Sequence, residues 1–247
     1  MKSEPRILSY GGGVQSVALL CLIRSGQLPT PDMAVIADTG REATTTWDYL
    51  REVSAPLAER LGFVIHVAPH SLASVDLYSK NGSLLIPAYT TANGKVGQMP
   101  GYCSVEWKRR VVRRYLRQQG VESATLWLGI SCDEAHRAKD SDVGWLRHEY
   151  PLLSLNLKRR DCERIIQDSG LPVPNKSSCW MCPYRGPEEW RALTANDWQL
   201  ATTLDAEIRQ IDPLAGISKS GKPLSEWDRL PDAQGKLTGC EEGYCWT

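Results

Sequence analysis

Short apolar runs alternate with longer segments of helical spacing over the first 130 residues of the chain. Arg6–Tyr10 reads as a short strand that runs into Gly11-Gly12-Gly13. Ser16–Ser25 follows with apolar residues at helical spacing, and Gly26 stops it. Met33–Ala37 is a continuous apolar run, as a buried strand requires, and ends in Asp38-Thr39-Gly40. Thr45–Leu61 puts Trp47, Leu50, Val53, Leu57 and Leu61 on one helical stripe before Gly62. Phe63–Val67 and Ala124–Ile130 are two further strands, and Val105–Gln119 is a helix. Strands alternating with helices predict an α/β fold, a parallel twisted sheet covered by helices on both faces.

Two stretches break this rhythm. Pro69–Gly101 has no clean period and carries Asn81-Gly82, Asn93-Gly94 and Pro100-Gly101, all turn signals. A loop of that length inside a compact domain is usually functional or mobile. After Gly144 the pattern changes to Asp161–Ser169, Pro187–Leu193 and Asp197–Ile211 as helices, with a Pro-, Ser- and Lys-containing loop at Leu171–Ser178. From Pro213 onward Gly, Pro, Lys and Ser dominate, and a short ordered tail is expected. The boundary is placed near Tyr150, dividing the chain into residues 1–150 and a helical, loop-rich part, 151–247.

Composition narrows the class. Hydrophobic residues make up 42% and charged residues 23%, which excludes wholesale disorder and collagen-like structure. Lys and Arg number 29, as do Asp and Glu, so bulk charge does not make this a nucleic-acid coat, although local basic patches stay possible. The apolar stretch Val17–Ile23 is too short to span a bilayer, and Met1–Tyr10 has no leader-like apolar core. A soluble cytoplasmic protein with no membrane association is the expectation. In a reducing compartment its eight cysteines serve as thiols, metal ligands or redox groups rather than as a disulfide framework.

The strongest local signal is Ser9-Tyr10-Gly11-Gly12-Gly13-Val14-Gln15-Ser16, between a predicted strand and a predicted helix. Glycines permit close backbone approach, and the free N–H groups of a helix start can hold an anion. The same glycines also suit a tight turn with no ligand. The segment is neither a Walker A loop nor a dinucleotide fingerprint, because Lys-Ser/Thr and the Gly-x-Gly-x-x-Gly spacing are both absent.

Gly11–Ser16 resembles the pyrophosphate loop of the PP-loop ATP pyrophosphatases, usually Ser-Gly-Gly-x-Asp-Ser, with Gly11 and Gln15 here in place of the Ser and the Asp. Asp38-Thr39-Gly40 resembles the Asp-Thr-Gly of the phosphoadenosine phosphosulfate (PAPS) reductase branch. Gly129-Ile130-Ser131-Cys132-Asp133-Glu134-Ala135-His136-Arg137 and Tyr102-Cys103-Ser104-Val105-Glu106-Trp107-Lys108 resemble two further motifs of that branch, in the same order. The resemblance implies the adenine nucleotide alpha hydrolase type of sheet. It also implies cleavage of ATP to AMP and pyrophosphate, with adenylation of a substrate oxygen for sulfur incorporation. It makes 1–150 the nucleotide-binding domain, with Ser9, Gly11, Gly12, Gly13, Val14, Gln15, Ser16, Asp38, Thr39, Gly129, Glu134 and Arg137 at the nucleotide. Ser16, Lys108 and Arg137 are the catalytic candidates, with Asp38 toward Mg²⁺; a capping or turn role for Asp38 stays open.

Lys108, Arg109, Arg110, Arg113, Arg114 and Arg117 share one predicted helix, and Lys158-Arg159-Arg160 form a second cluster. Either could face a polyanion or a partner, or be a surface face paired with acids. Trp47, Trp127 and Trp190 fit core positions.

Cys179-Trp180-Met181-Cys182-Pro183 is a loop Cys-x-x-Cys, Cys103 precedes a helix, and Cys240 and Cys245 lie in the tail. Structural Zn²⁺ on Cys179, Cys182, Cys240 and Cys245, or an unliganded redox dithiol, fits this spacing. The resemblance favours a [4Fe–4S] cluster on Cys103, Cys179, Cys182 and Cys245, with Cys240 as the alternative fourth ligand, as in DndC/SspD-like enzymes of DNA phosphorothioate modification. It implies a cysteine desulfurase as sulfur donor, and DNA with DNA-binding modification subunits as partners. The alternatives are a PAPS or adenylyl-sulfate reductase, a tRNA or small-molecule thiolation enzyme, and a non-catalytic nucleotide-binding subunit of a modification or defence complex.

Overall fold

The computed structural model describes residues 4–92 and 94–229. Asn93 of the predicted Asn-Gly turn, the tail beyond Arg229 and its Cys240 and Cys245 lie outside the described residues. Five parallel strands form the main sheet in the order β3-β2-β1-β6-β7. They are β1 (Arg6–Ser9), β2 (Met33–Ala37), β3 (Ile65–Ala68), β6 (Ala124–Leu128) and β7 (Leu146–Glu149). The register sets Leu8 against Ala34 on one side and against Trp127 on the other.

Alternation along each strand feeds two cores. Leu8, Ala34, Ile36, Ile65 and Trp127 point to one face, which packs on α1 (Val14–Arg24) and α6 (Arg159–Asp168). The helix α2 (Thr44–Tyr49) runs through a π-helical turn, Leu50–Ser54, into α3 (Ala55–Arg60) on that same side. Ile7, Val35, Ala37, Leu126 and Leu128 point to the other face, covered by α4 (Arg110–Gln118). The chain is therefore an α/β protein with a parallel sheet and helices on both faces, as the sequence pattern predicts.

The sequence pattern leaves out β7 and a small antiparallel sheet, β5-β4-β8, of β4 (Ala88–Thr90), β5 (Gly97–Met99) and β8 (Ala215–Gly216). This sheet orders the segment between Pro69 and Gly101 and joins a third core with α8 (Ala195–Ile211) and α7 (Pro187–Arg191). The short α5 (Pro151–Ser154) follows β7 directly. Trp127 and Trp190 are buried, and Trp47 is partly buried against the first core. Among the described residues no helix is long and apolar enough to cross a membrane.

Candidate functional site

Strand order reverses at β1. The chain steps outward from β1 to β2 and β3, then returns to place β6 on the other side of β1. At such a point the two connections leave the strand ends in opposite directions and open a crevice beyond the carboxyl edge of the sheet. The β1–α1 loop and the segment after β6 flank this crevice.

The loop is anchored from below. Tyr10 N–H donates to Val35 O at 2.9 Å, and its buried hydroxyl donates to Ser54 Oγ at 2.6 Å. Burial raises the Tyr10 phenol far above its ordinary value, so it stays a neutral donor. Gly12 has φ +74°, and a Cβ there would lie 2.7 Å from Thr46 Cγ2. A Cβ on Gly13 would lie 3.0 Å from Ser177 Oγ. Gly12 is demanded by its backbone conformation and that contact, while a side chain on Gly13 would press on the loop that carries Ser177. Gly129 serves in the same way, since its Cβ would meet Gln15 and the Ser16 N at 3.3–3.4 Å. The first turn of α1 has no side-chain cap, so its leading N–H groups face the crevice. Ser16 is buried and donates its hydroxyl to Gly13 O at 2.9 Å, bracing the loop from inside.

A cleft with about 900 Å³ of empty space, open to solvent, lies over this turn. Gly13, Val14 and Gln15 form one edge. Thr39, Lys108, Glu134 and Arg137 join them, so residues from four separate sequence segments meet there. Cys103, Cys179 and Cys182 lie on the same cleft wall, with Arg159, Lys176, Ser177 and Tyr184. Ser9 and Gly11 instead line an adjoining pocket of about 510 Å³ with Ile36, Glu42 and Arg113, and Lys108 borders both spaces. Gly12, Ser16, Asp38 and Gly129 line neither space. Asp38 Oδ1 accepts the Gly40 N–H at 2.7 Å, which is the turn role the sequence left open.

Charge is concentrated in the cleft. Glu134 joins Arg137, Oε1 to Nη1 at 2.7 Å, and accepts Gln15 Nε2 at 3.1 Å. Arg159 Nη1 reaches Gln15 Oε1 at 3.4 Å. Lys108 Nζ lies 3.1 Å from Oε1 of Glu42, a carboxylate only 4% exposed in its side chain. Oε2 of Glu42 is buried with no hydrogen-bond partner. The same Glu42 Oε1 lies 3.8 Å from Cys179 Sγ, and Thr39 Oγ1 lies 3.3 Å from that sulfur. Burial and then the charge of Glu42 push the Cys179 thiol well above its usual value, with Lys108 opposing.

Backbone pairing builds the cysteine wall. Glu42 and Cys179 form an antiparallel bridge. Ala43 N donates to Ser178 O and Trp180 N to Arg41 O. Arg185, only 5% exposed, donates to the carbonyls of Ser178, Cys179 and Glu189. Thiol donors on a cleft wall suit iron or zinc in kind. Their placement does not assemble a ligand set, because among the described residues no group of three or more His, Cys, Asp or Glu is arranged to hold a metal ion.

The basic run takes the paired form of its two sequence readings. Arg109 and Arg113 meet Asp142, and Arg110 meets Glu106. Arg114 donates to Leu72 O, while Arg117 donates to Val121 O and stacks on Trp145 at 4.3 Å. Sequence reasoning missed Glu42 and Lys176 as site residues and left the Lys158-Arg159-Arg160 cluster open between a polyanion-facing and a surface role; Arg159 lines the cleft. The position of Lys176 and Ser177, just ahead of Cys179, was an available signal; Glu42 carries none.

No protein-family model matches the chain, and no curated protein matches it. Among solved structures it is similar to the PAPS reductase of Candida auris in its phosphate complex, at 15% identity over 70% of this chain and 76% of that one, TM-score 0.45. It is also similar to the U34-tRNA thiolase NcsA of Methanococcus maripaludis with its [4Fe-4S] cluster, at 12% identity over 98% of this chain and 77% of that one, TM-score 0.44.

Proposed function

We propose that this chain is a nucleotide-activating enzyme of sulfur incorporation that binds ATP with its phosphates at the start of α1 and cleaves it between the α- and β-phosphates. The observation that carries this reading is one cleft in which an uncapped helix start, four side-chain cations and three thiols meet. N–H groups at Gly13–Gln15, with Lys108 and Arg137, would take the charge of departing pyrophosphate. An acceptor oxygen attacks the α-phosphorus, the bond to the bridging oxygen of the β-phosphate breaks, and pyrophosphate leaves with those electrons. Hydrosulfide, released when a thiol reductant cleaves the persulfide carried by a cysteine desulfurase partner and is itself oxidised to a disulfide, then attacks the adenylated centre, and AMP departs with the former acceptor oxygen.

DNA is the acceptor in this reading. The helix α4 gives it little support, because its arginines have intramolecular partners. Support comes from α6, where Arg159 lines the cleft while Lys158, Arg160 and Arg164 line an open groove of about 1000 Å³. Asp161 and Glu163 share that groove, so its attraction for a polyanion is local and salt-sensitive. A [4Fe–4S] cluster on Cys103, Cys179 and Cys182, completed by Cys245 or Cys240, would supply a bound sulfur site, and it requires the three described thiols to converge from the arrangement they have here.

The test is incubation of the full chain with ATP, an acceptor DNA and sulfide, followed by separation of the nucleotides. AMP and pyrophosphate in equal amounts are expected. ADP and phosphate would contradict the cleavage site, and sulfite released from PAPS with thioredoxin would replace this reading with a reductase. Iron and labile sulfide in anaerobically purified protein test the cluster, and one zinc per chain without iron would overturn it.

A further inference from the structure

We infer that Ser177 and Ser178 belong to the phosphate site, their hydroxyls donating to the same phosphates that the amides at Gly13–Gln15 hold. The inference rests on the nucleotide-binding reading above and adds to that site two residues from a distant segment. The hydroxyl of Ser16 is turned inward, buried and donating to Gly13 O at 2.9 Å. The start of α1 therefore presents backbone N–H groups to the cleft, and phosphate oxygens that point away from them need donors from another part of the chain.

The segment that leads from α6 to Cys179 runs against the glycine bend. A Cβ on Gly12 would lie 3.5 Å from Ser177 Cβ, and one on Gly13 would lie 3.0 Å from Ser177 Oγ. The Ser177 hydroxyl thus sits beside the residue that opens α1. Ser177 and Ser178 both line the cleft together with Gly13, Val14 and Gln15.

Ser178 adds an independent observation. It is 8% exposed, and its Oγ is buried with no hydrogen-bond partner. A buried hydroxyl without a partner costs stability, and a ligand oxygen arriving in the cleft would remove that cost. Hydrogen bonds to a charged oxygen are stronger than those between neutral groups, so a phosphate is the ligand these hydroxyls favour most.

The backbone that carries them is tied down before any anion arrives. Tyr49 donates its hydroxyl to Pro172 O at 2.6 Å, and Lys176 Nζ lies 3.0 Å from Glu189 Oε1. Ser178 O accepts the Ala43 N–H at 3.2 Å as well as Arg185 Nη2 at 3.0 Å, so the serines keep a tie to the start of α2 even where Arg185 is lost.

Calorimetric titration of ATP and of inorganic pyrophosphate into the full chain, into Ser177→Ala and into Ser178→Ala tests the inference, with urea denaturation of each unliganded protein alongside. Each variant is expected to bind both ligands about tenfold more weakly than the wild type, because a hydrogen bond to a charged oxygen is lost. Ser178→Ala should unfold at the same urea concentration as the wild type or at a higher one, since its hydroxyl has no partner to lose. Wild-type affinity in both variants would overturn the inference and leave the nucleotide site standing. Weaker binding matched by a fall in stability would assign the serines to the fold instead. A wild-type chain that binds neither ligand would overturn the nucleotide reading itself, and that arm decides even where a variant does not fold.

Discussion

The two walls of the cleft are built by opposite means. The β1–α1 wall stands on regular structure: a central strand, a glycine bend and an eleven-residue helix whose leading N–H groups point at the ligand space. The cysteine wall is irregular chain, held by the Glu42–Cys179 bridge and by Arg185 on three carbonyls. Anion binding needs backbone groups aimed in advance, and a strand-to-helix junction supplies them. Thiols that bind or pass sulfur need reach, and a loop tied by a few side chains supplies that. The walls should therefore fail separately.

The largest effect is expected at the first wall. Gly12→Ala forces a Cβ into a left-handed residue and to within 2.7 Å of Thr46 Cγ2. Strain and overpacking together should cost about 3 kcal/mol, read by urea denaturation, and ATP affinity should fall about a hundredfold. A variant as stable and as avid as the wild type would show that the bend does not shape the site.

Arg185→Met should cost about 2 kcal/mol by leaving buried carbonyls without their donor. Alkylation of Cys179 should accelerate while ATP affinity changes by less than about threefold. Joint loss of both functions would erase the distinction between the walls.

Asp197 ties α8 to α2, since its carboxylate accepts both the N–H and the hydroxyl of Thr44 at the start of α2. Asp197→Ala removes this cap and should cost about 1.5 kcal/mol, measured by thermal unfolding.

The smallest effect belongs to the far side of the sheet. The Arg113 hydrogen bond holds the Asp142 carboxyl at about 2, below its ordinary 3.8. A carboxyl lowered on folding stabilises the protein above the ordinary value, and that contribution fades as pH falls from 3.8 toward 2. Asp142 is 57% exposed, so screening keeps the term below about 1 kcal/mol. The gap in Tm between wild type and Asp142→Asn should be about a degree or two near neutrality and close in acid.

What the sequence discloses follows the same division. The strands β1, β2 and β6 are legible because each is a dense apolar run at the centre of a parallel sheet, and the glycine bend announces the turn to α1. The strand β7 hides because it is an edge: Leu146 is buried, while Arg147 is exposed and His148 and Glu149 are only half-buried, so no apolar run marks it. The strands β4 and β8 hide because their pairing is only two residues long, Tyr89 with Gly216 and Thr90 with Ala215, between segments far apart in sequence. In the site, the Cys-x-x-Cys and the loop are visible as local motifs. Glu42 is not, since its importance comes from Lys108 and Cys179, which only the fold brings to it. Nor does the arginine run reveal that Asp142, Glu106 and Leu72 occupy it.

The central claim is that the bend between β1 and α1 grips phosphate beside the thiol wall. A crystal structure of the full chain soaked with ATP tests it most directly. The account predicts phosphate oxygens within hydrogen-bond distance of the amides at Gly13–Gln15 and of Arg137. A triphosphate bound away from those amides, with Arg137 still closed on Glu134, would contradict it.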